Sequence, residues 1–462
     1  MCFSCFDANA QSNKNKRSSA LRGALRTERT CFDVFYYNLF LKINPDKKYI
    51  SGHNKIHFTT TDTTSKIQID LYENLALSKI IFRGQPIKFV REYDAVWVYF
   101  PTQLIKNGTF FIDVYYEGKP KSADIENFQR HGFNWAQTLN GKHLVGVSCE
   151  YDGASLWYPN KDHLTDEPDS MRVHWTVPDN LQCISNGVLE NITKSTKEVG
   201  YLTHNWLIKN PINNYNVTVY LGDYKEIVDE YSSVVTGKKH KISYYYYDET
   251  LEKAVDYFAF TKQFLAFFEE IYGEYPFWND KFAVLKSNYS GMEHQSCLAI
   301  GSPLRKYNWY YTINVNYDCV LIHEIAHEWW GNSVSVGDMA DVWMHEGFAT
   351  YSEALFIERI LGKTAYKRTI ETMNAQTPLF FTLVGKKNVN VNMFENNNIY
   401  MGGASFLDKL RTKINDDKIF FDILKSFQVK FRKKIITTAD FLAMVNEKTK
   451  KDFTKFFEKE VY

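Results

Sequence analysis

The sequence predicts an α+β multidomain protein, with a β-rich N-terminal half followed by a mainly helical C-terminal half. Two periodicities carry that reading. Apolar residues alternate with period two in short segments up to about residue 225, then recur at three- and four-residue spacing after about residue 240. Length agrees: 462 residues with 44% hydrophobic content suffice for two or three domains around a large buried core.

The elements follow in order. Residues 1–30 are rich in Ser, Asn and Lys/Arg and are expected as a mobile leader. From Cys31, the segments DVFYYNLFLKI, YISGHNKIHFT, SKIQIDLY, AVWVYF and TFFIDVYY combine β-branched and aromatic residues with strict alternation. MRVHWTVP, LQCISNGVL and YNVTVYLG continue the pattern, so residues 31–238 are expected as one β-sheet domain. Helical spacing begins in LEKAVDYFAFTKQFLAFFEEIYG, which Gly273 and Pro276 should stop. SFLDKLRTKI, DKIFFDILKSFQVKF and TTADFLAMVNEKT follow, the last opening on threonines suited to an N-cap. Residues 239–462 are expected as the second domain.

Composition narrows the function. Lysine and arginine total 55 against 54 acidic residues, a net charge of +1, which offers no field for nucleic acid or an anionic membrane. No apolar run is long enough for an integral membrane segment, and the N-terminus has no apolar h-region of a signal peptide. The compartment stays open between cytoplasmic and, if a leader has been removed, periplasmic or secreted; oligomeric state is equally open. Seven scattered cysteines without a CxxC pair argue against a disulfide framework or a thiolate metal site. Sequons at Asn107, Asn191, Asn216 and Asn288 are taken as chance matches.

The segment HEIAHEWWGN, from His323 to Asn332, carries the chemistry. Residues four apart share one helix face, so His323 and His327 can ligate a single zinc ion through their imidazoles. Glu324 then lies beside the ion, where it can take a proton from activated water. A catalytic zinc needs a third protein ligand and an open position for water. DVWMHEGFATYSEAL supplies Glu346, eighteen intervening residues after His327 and at the start of another helical pattern. His345 is turned about 100° from Glu346 and is expected to be structural. Glu353 lies on nearly the face of Glu346, either orienting a ligating histidine or as a plain helix-surface glutamate.

These motifs resemble the zinc aminopeptidases of the aminopeptidase N and leukotriene hydrolase type, the gluzincin metallopeptidases. HEIAHEWWGN with WMHEGFATYSEAL resembles their zinc signature, YSGMEHQS from Tyr289 is similar to their GxMEN exopeptidase motif, and IYMGGASFL from Ile399 resembles their YxKGAxxL segment. LWYPNKDHLTDEPDSMRVHWTVP, from Leu156, resembles a segment of their β-domain in a form associated with bacterial members. The likeness covers nearly all of residues 31–462. It implies a saddle-like β-domain and a thermolysin-like catalytic domain, in a short form without the C-terminal helical domain of larger relatives. It also implies one zinc per chain and peptide substrates with a free N-terminus.

The resemblance further implies residue roles. Glu293 would bind the substrate's α-amino group, and Glu150 would be a second anchor, unless it is a plain surface acid beside Tyr151 and Asp152. Gly291 and Met292 would run along the substrate backbone, and the Tyr400 hydroxyl would hydrogen-bond the oxyanion. Ser290 replaces the first Gly of the exopeptidase motif, His294 its Asn, and Gly402 the Lys of YxKG, which puts pocket detail in question rather than reaction class. Two other readings follow from the same fold: zinc epoxide hydrolysis, and a non-catalytic peptide-binding protein. Intact Glu324, Glu346 and Tyr400 weigh against the second.

Overall fold

A computed structural model describes residues 17–18, 20–124, 131–195, 198–301, 303–306, 308, 313–377, 382–388 and 398–462. Two compact units form, one from residues up to 136 and 145–221, the other from 137–144 and most of the chain beyond 222. The α+β class is as expected, with the β-rich sheets first and the helical region after.

In the first unit an eight-stranded sheet runs in the order Val188–Lys194, Tyr201–Ile208, Ser170–Pro178, Phe32–Asn44, Tyr49–Thr60, Thr109–Gly118, Leu75–Phe82, Gln85–Pro86. All neighbours are antiparallel except Phe32–Asn44 beside Ser170–Pro178, which are parallel. Period-two alternation decides which face is buried: Leu39, Leu41 and Ile43 go inward with Trp175, while Phe40 and Lys42 do not. The folded chain is already under way before Cys31. Leu21 is 1% exposed, Gln68 Nε2 donates to its carbonyl at 3.0 Å, and the fully buried Arg29 meets Asp70 at 2.7 Å. The expected leader over 1–30 is therefore shortened, because a buried arginine requires a paired carboxylate and finds one in a neighbouring strand. Residues 1–16 of that leader lie outside the described residues.

In the second unit, strands Lys225–Ser232 and Lys239–Tyr246 form an antiparallel hairpin; the latter pairs in parallel with Phe282–Lys286, itself parallel to Leu298–Ile300. That pairing draws the hairpin into the helical unit and puts the change of unit near residue 221 instead of the expected 238. The first long helical segment divides into Leu251–Phe258 and Thr261–Tyr272, the former capped by Thr250, whose side chain accepts from Lys253 N at 3.3 Å. Gly273 stops the latter at φ +103, a conformation open to glycine. Helices Cys319–His327, Trp343–Leu361, Lys363–Gln376, Gly403–Ile414, Asp417–Lys430 and Thr438–Thr449 follow. Thr437 begins the last with a capping box, its backbone N donating to Asp440 at 2.8 Å.

Candidate metal centre and active site

The helix Cys319–His327 is apolar enough for eight of its nine residues to be buried. Asp318 caps it, accepting from Val320 N at 3.0 Å, and Leu321, Ile322, Ile325 and Ala326 are fully buried. This enclosure locks the histidine rotamers. His323 Nε2 and His327 Nε2 lie 3.0 Å apart, and Glu346 Oε2, from the helix Trp343–Leu361, lies 3.2 Å from the first and 3.4 Å from the second.

These separations test whether a metal fits. Ligands about 2.0–2.1 Å from a tetrahedral ion stand roughly 3.3–3.4 Å from one another. The observed triangle has that size, and all three residues are buried. The remaining ring nitrogens point the same way chemically. His323 Nδ1 pairs with Glu353 Oε1 at 2.9 Å, and His327 Nδ1 with the carbonyl of Trp330 at 2.9 Å. Two acceptors therefore take the Nδ1 protons, which leaves the Nε2 lone pairs directed at one point. Glu353, 0% exposed, is an orienting carboxylate rather than a helix-surface glutamate. His345 is turned from the triangle, its Nε2 accepting from Val336 N at 3.0 Å.

Charge follows the same geometry. Burial raises the pKa of Glu346, but His327 and His323 outweigh it and hold its carboxyl well below the usual range. Burial lowers the pKa of His323 and His327, but Glu346 outweighs it at both, joined by Glu353 at His323, and raises them. Protons and a cation thus compete for the same positions. Glu324 differs: burial pushes it up to about 8, against the pull of His323 and His327.

Gly291 sits against that carboxyl. A Cβ there would overlap Glu324 Oε1 and come within 2.5 Å of Val320 Cγ1, so any larger residue would require Glu324 or Val320 to shift. Met292 pairs with Ala299 through N–H···O bonds of 3.2 and 2.9 Å, which lays Gly291–Glu293 along the strand Leu298–Ile300. Glu293 is 3% exposed, and its carboxylate, that of Glu324 and a nitrogen of His327 all lie within 4.8 Å of one another.

Tyr400 stands in a π-helical turn, Asn398–Gly402, with its ring 6.1 Å from that of His323 at an interplanar angle of 25°. The turn comes this close because two glycines let their helices touch: a Cβ on Gly403 would lie 2.6 Å from Gly347 Cα, and one on Gly347 would lie 2.7 Å from Gly403 Cα. At Gly402 the space for a Cβ is already taken by Asn398 Oδ1, 2.6 Å away, so the lysine of the related motif could not enter without displacing Asn398. Ser290 is exposed, and His294 is buried with its pKa pushed down to about 3 by desolvation. Glu150 belongs to the first unit, just beyond the strand His143–Ser148, and is 6% exposed. It is not a surface acid.

Sequence reasoning passed over two residues of the zinc-type motif itself, Glu328 and Asn332, both buried against the Glu293 segment. The available signal was an acid and an amide inside a run of otherwise apolar or ligating residues.

Residues 257–459 match the family model described as Peptidase family M1 domain. Leukotriene A-4 hydrolase of Xenopus laevis is 26% identical over 205 residues, 42% of this chain and 33% of that protein. Aminopeptidase B of Mus musculus is 24% identical over 251 residues, 51% of this chain and 36% of that protein. The matched stretch is thus about a third of each relative's length. Among solved structures, the M1 zinc metallopeptidase of Deinococcus radiodurans, in a mutant bound to a Tyr-Ser-Ala substrate, superimposes with a TM-score of 0.75 at 22% identity, covering 90% of this chain and 91% of that one. Native yeast LTA4 hydrolase gives 0.76 at 19% identity, over 96% of this chain and 69% of that one. The buried His-His-Glu triangle of metal-binding size lies within the residues that match the Peptidase family M1 domain, and the chain shares the two-domain fold of the solved M1 zinc metallopeptidases.

Proposed function

We propose that this chain is a zinc-dependent aminopeptidase that removes N-terminal residues from peptides. His323, His327 and Glu346 would hold one zinc ion, which when bound supplies Lewis acidity toward the scissile carbonyl and its attacking water. The observation that carries the reading is Glu293, a second buried carboxylate within 4.8 Å of Glu324 and His327. In a peptide's first residue the α-nitrogen is roughly 2.5 Å from the carbonyl carbon. A group that pairs the ammonium must therefore stand almost beside the group that works on the carbonyl, and Glu293 does. A longer chain N-terminal to the cleaved bond would have to pass through its carboxylate.

The remaining residues divide the work. Glu324 takes the proton of the attacking water and hands it to the leaving nitrogen, and burial makes it more basic than an exposed carboxylate. Glu293 pairs the ammonium. Gly291 and Met292 line the substrate backbone, and Tyr400 donates to the oxyanion. The relatives named aminopeptidase B, and the solved structure with a Tyr-Ser-Ala substrate, support a peptide substrate.

The test is zinc content together with hydrolysis of fluorogenic aminoacyl amides and their N-acetylated forms. One zinc with chelator-sensitive cleavage of the free amines alone is expected. Equal cleavage of acetylated substrate would replace this reading with an endopeptidase, and absence of zinc would leave a peptide-binding protein.

A further inference from the structure

Two residues that neither ligate nor fit the catalytic roles above tie the metal helix to the segment carrying Glu293. Asn332 and Glu328 lie five and one positions after His327. Asn332 Nδ2 donates to the backbone carbonyl of Glu293 at 2.7 Å and to Glu328 Oε1 at 3.2 Å. Glu328 accepts from Ser296 N at 2.9 Å and from Tyr275 Oη at 2.5 Å. Asn332 N in turn donates to the carbonyl of His327 at 3.0 Å. Glu328 is 0% exposed and Asn332 2%, so these bonds operate without competing water.

The held segment is not at rest by itself. Ser296 has φ +61, a left-handed conformation that a residue with a Cβ seldom adopts, and such strain persists only where the surroundings enforce it. Among the groups that enforce it are the Glu328 carboxylate on its N–H and Ala283 N, which donates to its carbonyl at 3.1 Å. The segment is thus pinned at both ends, at the Glu293 carbonyl and at Ser296 N, to residues whose positions follow from His327.

We infer that Glu328 and Asn332 are positioning residues that fix the Glu293 carboxylate at its distance from the metal ligands, and so set the enzyme's grip on a substrate's free α-amino group. The inference rests on the amine-anchor reading of Glu293. In it, the motif HEIAHEWWGN supplies two ligands, a base and the ruler that spaces the base from the amine site.

The experiment is a double-mutant cycle on the zinc-loaded full chain, read as kcat and KM for a free-amine aminoacyl amide. Asn332→Ala should raise KM and lower kcat/KM by on the order of 10- to 100-fold, the scale of a lost buried hydrogen bond. Zinc stoichiometry should not change. In a Glu293→Ala background the same change should cost less than about threefold, since the group it positions is gone. Glu328→Ala should behave likewise. Glu328→Gln should retain activity within a few fold, because its carboxamide oxygen still accepts from Ser296 and Asn332 while its NH2 faces the Tyr275 hydroxyl. That variant keeps the test decisive should the alanine variants fail to fold: a Glu328→Gln enzyme as impaired as Glu293→Ala would overturn the inference. So would losses that multiply in the double variant, or zinc lost from Asn332→Ala. If Glu293→Ala is impaired and Asn332→Ala is not, the ruler alone fails. If Glu293→Ala is itself unimpaired, the anchor reading fails and the inference falls with it.

Discussion

At the scale of single residues the site is decided by which groups are denied water. Glu324 is enclosed by its helix on one side and by Gly291 on the other, and that enclosure lifts it to about 8. Replacing its carboxyl by an amide removes the proton acceptor and leaves the metal ligands alone. Glu324→Gln is expected to keep its metal while losing about 10²- to 10⁴-fold in kcat. Near-normal turnover in that variant, with metal content measured beside it, would reject the general-base role. Gly291→Ala makes the reciprocal point: the added methyl must displace either Glu324 or the segment leading to Glu293. A fall in kcat/KM of at least tenfold with the metal retained is expected, and unchanged kinetics would show that the segment yields.

His294 gives a residue-scale prediction for stability. Its folded pKa is about 3, held down by burial, against about 6.5 in an unfolded chain. A depressed base binds its proton first in the unfolded state, so its contribution is fully present above pH 6.5 and drains away as pH falls toward 3. Between pH 6.5 and 5 the loss is about 2 kcal/mol. His294→Asn, which cannot titrate, should flatten the stability profile across that interval. Urea midpoints at the two pH values measure it, and equal slopes for the variant and the parent would contradict the burial argument.

At the scale of elements, the helices Trp343–Leu361 and Gly403–Ile414 meet through Gly347 and Gly403, with no side chain between them. Alanine in a helix gains about 1 kcal/mol over glycine in propensity. Here the added Cβ would land 2.6–2.7 Å from backbone Cα atoms, which cannot rotate away. Overpacking, worth about 1–3 kcal/mol, should win. Gly403→Ala is therefore expected to lower stability and to reduce kcat by moving the Tyr400 turn, without loss of metal. A thermal melt and a metal assay on the same preparation decide it, and a more stable variant would mean the helices have room to part.

At the scale of the whole molecule, metal binding and folding of the second unit should be linked. All three ligands are buried and come from two helices of that unit, so a bound ion stabilises only the folded form. An ion present at a thousand times its Kd adds about 4 kcal/mol. Calorimetry with chelator should show a lower transition temperature that added zinc restores, and superimposable scans would sink the linkage. Among the described residues no helix is long and apolar enough to cross a membrane.

What the sequence determined by itself was whatever short-range pattern controls. Strand alternation from Phe32 onward, the capped helix after Thr437, and the four-residue spacing of His323 and His327 are set by backbone geometry within a few residues. The approach of Glu346 to that pair also followed, because the motif's order has few ways to close on one ion. Tertiary structure alone decided the rest. The hairpin 225–246 joined the helical unit because its partner strand, Phe282–Lys286, comes later in the chain. Leu21–Arg29 became part of a folded unit because Asp70 waits in a neighbouring strand. Glu353, Glu328 and Asn332 gained their partners from segments up to 53 positions away. Periodicity reports which face of an element is buried, but not against what. A hydrogen bond between distant segments exists only once the chain has brought both ends together.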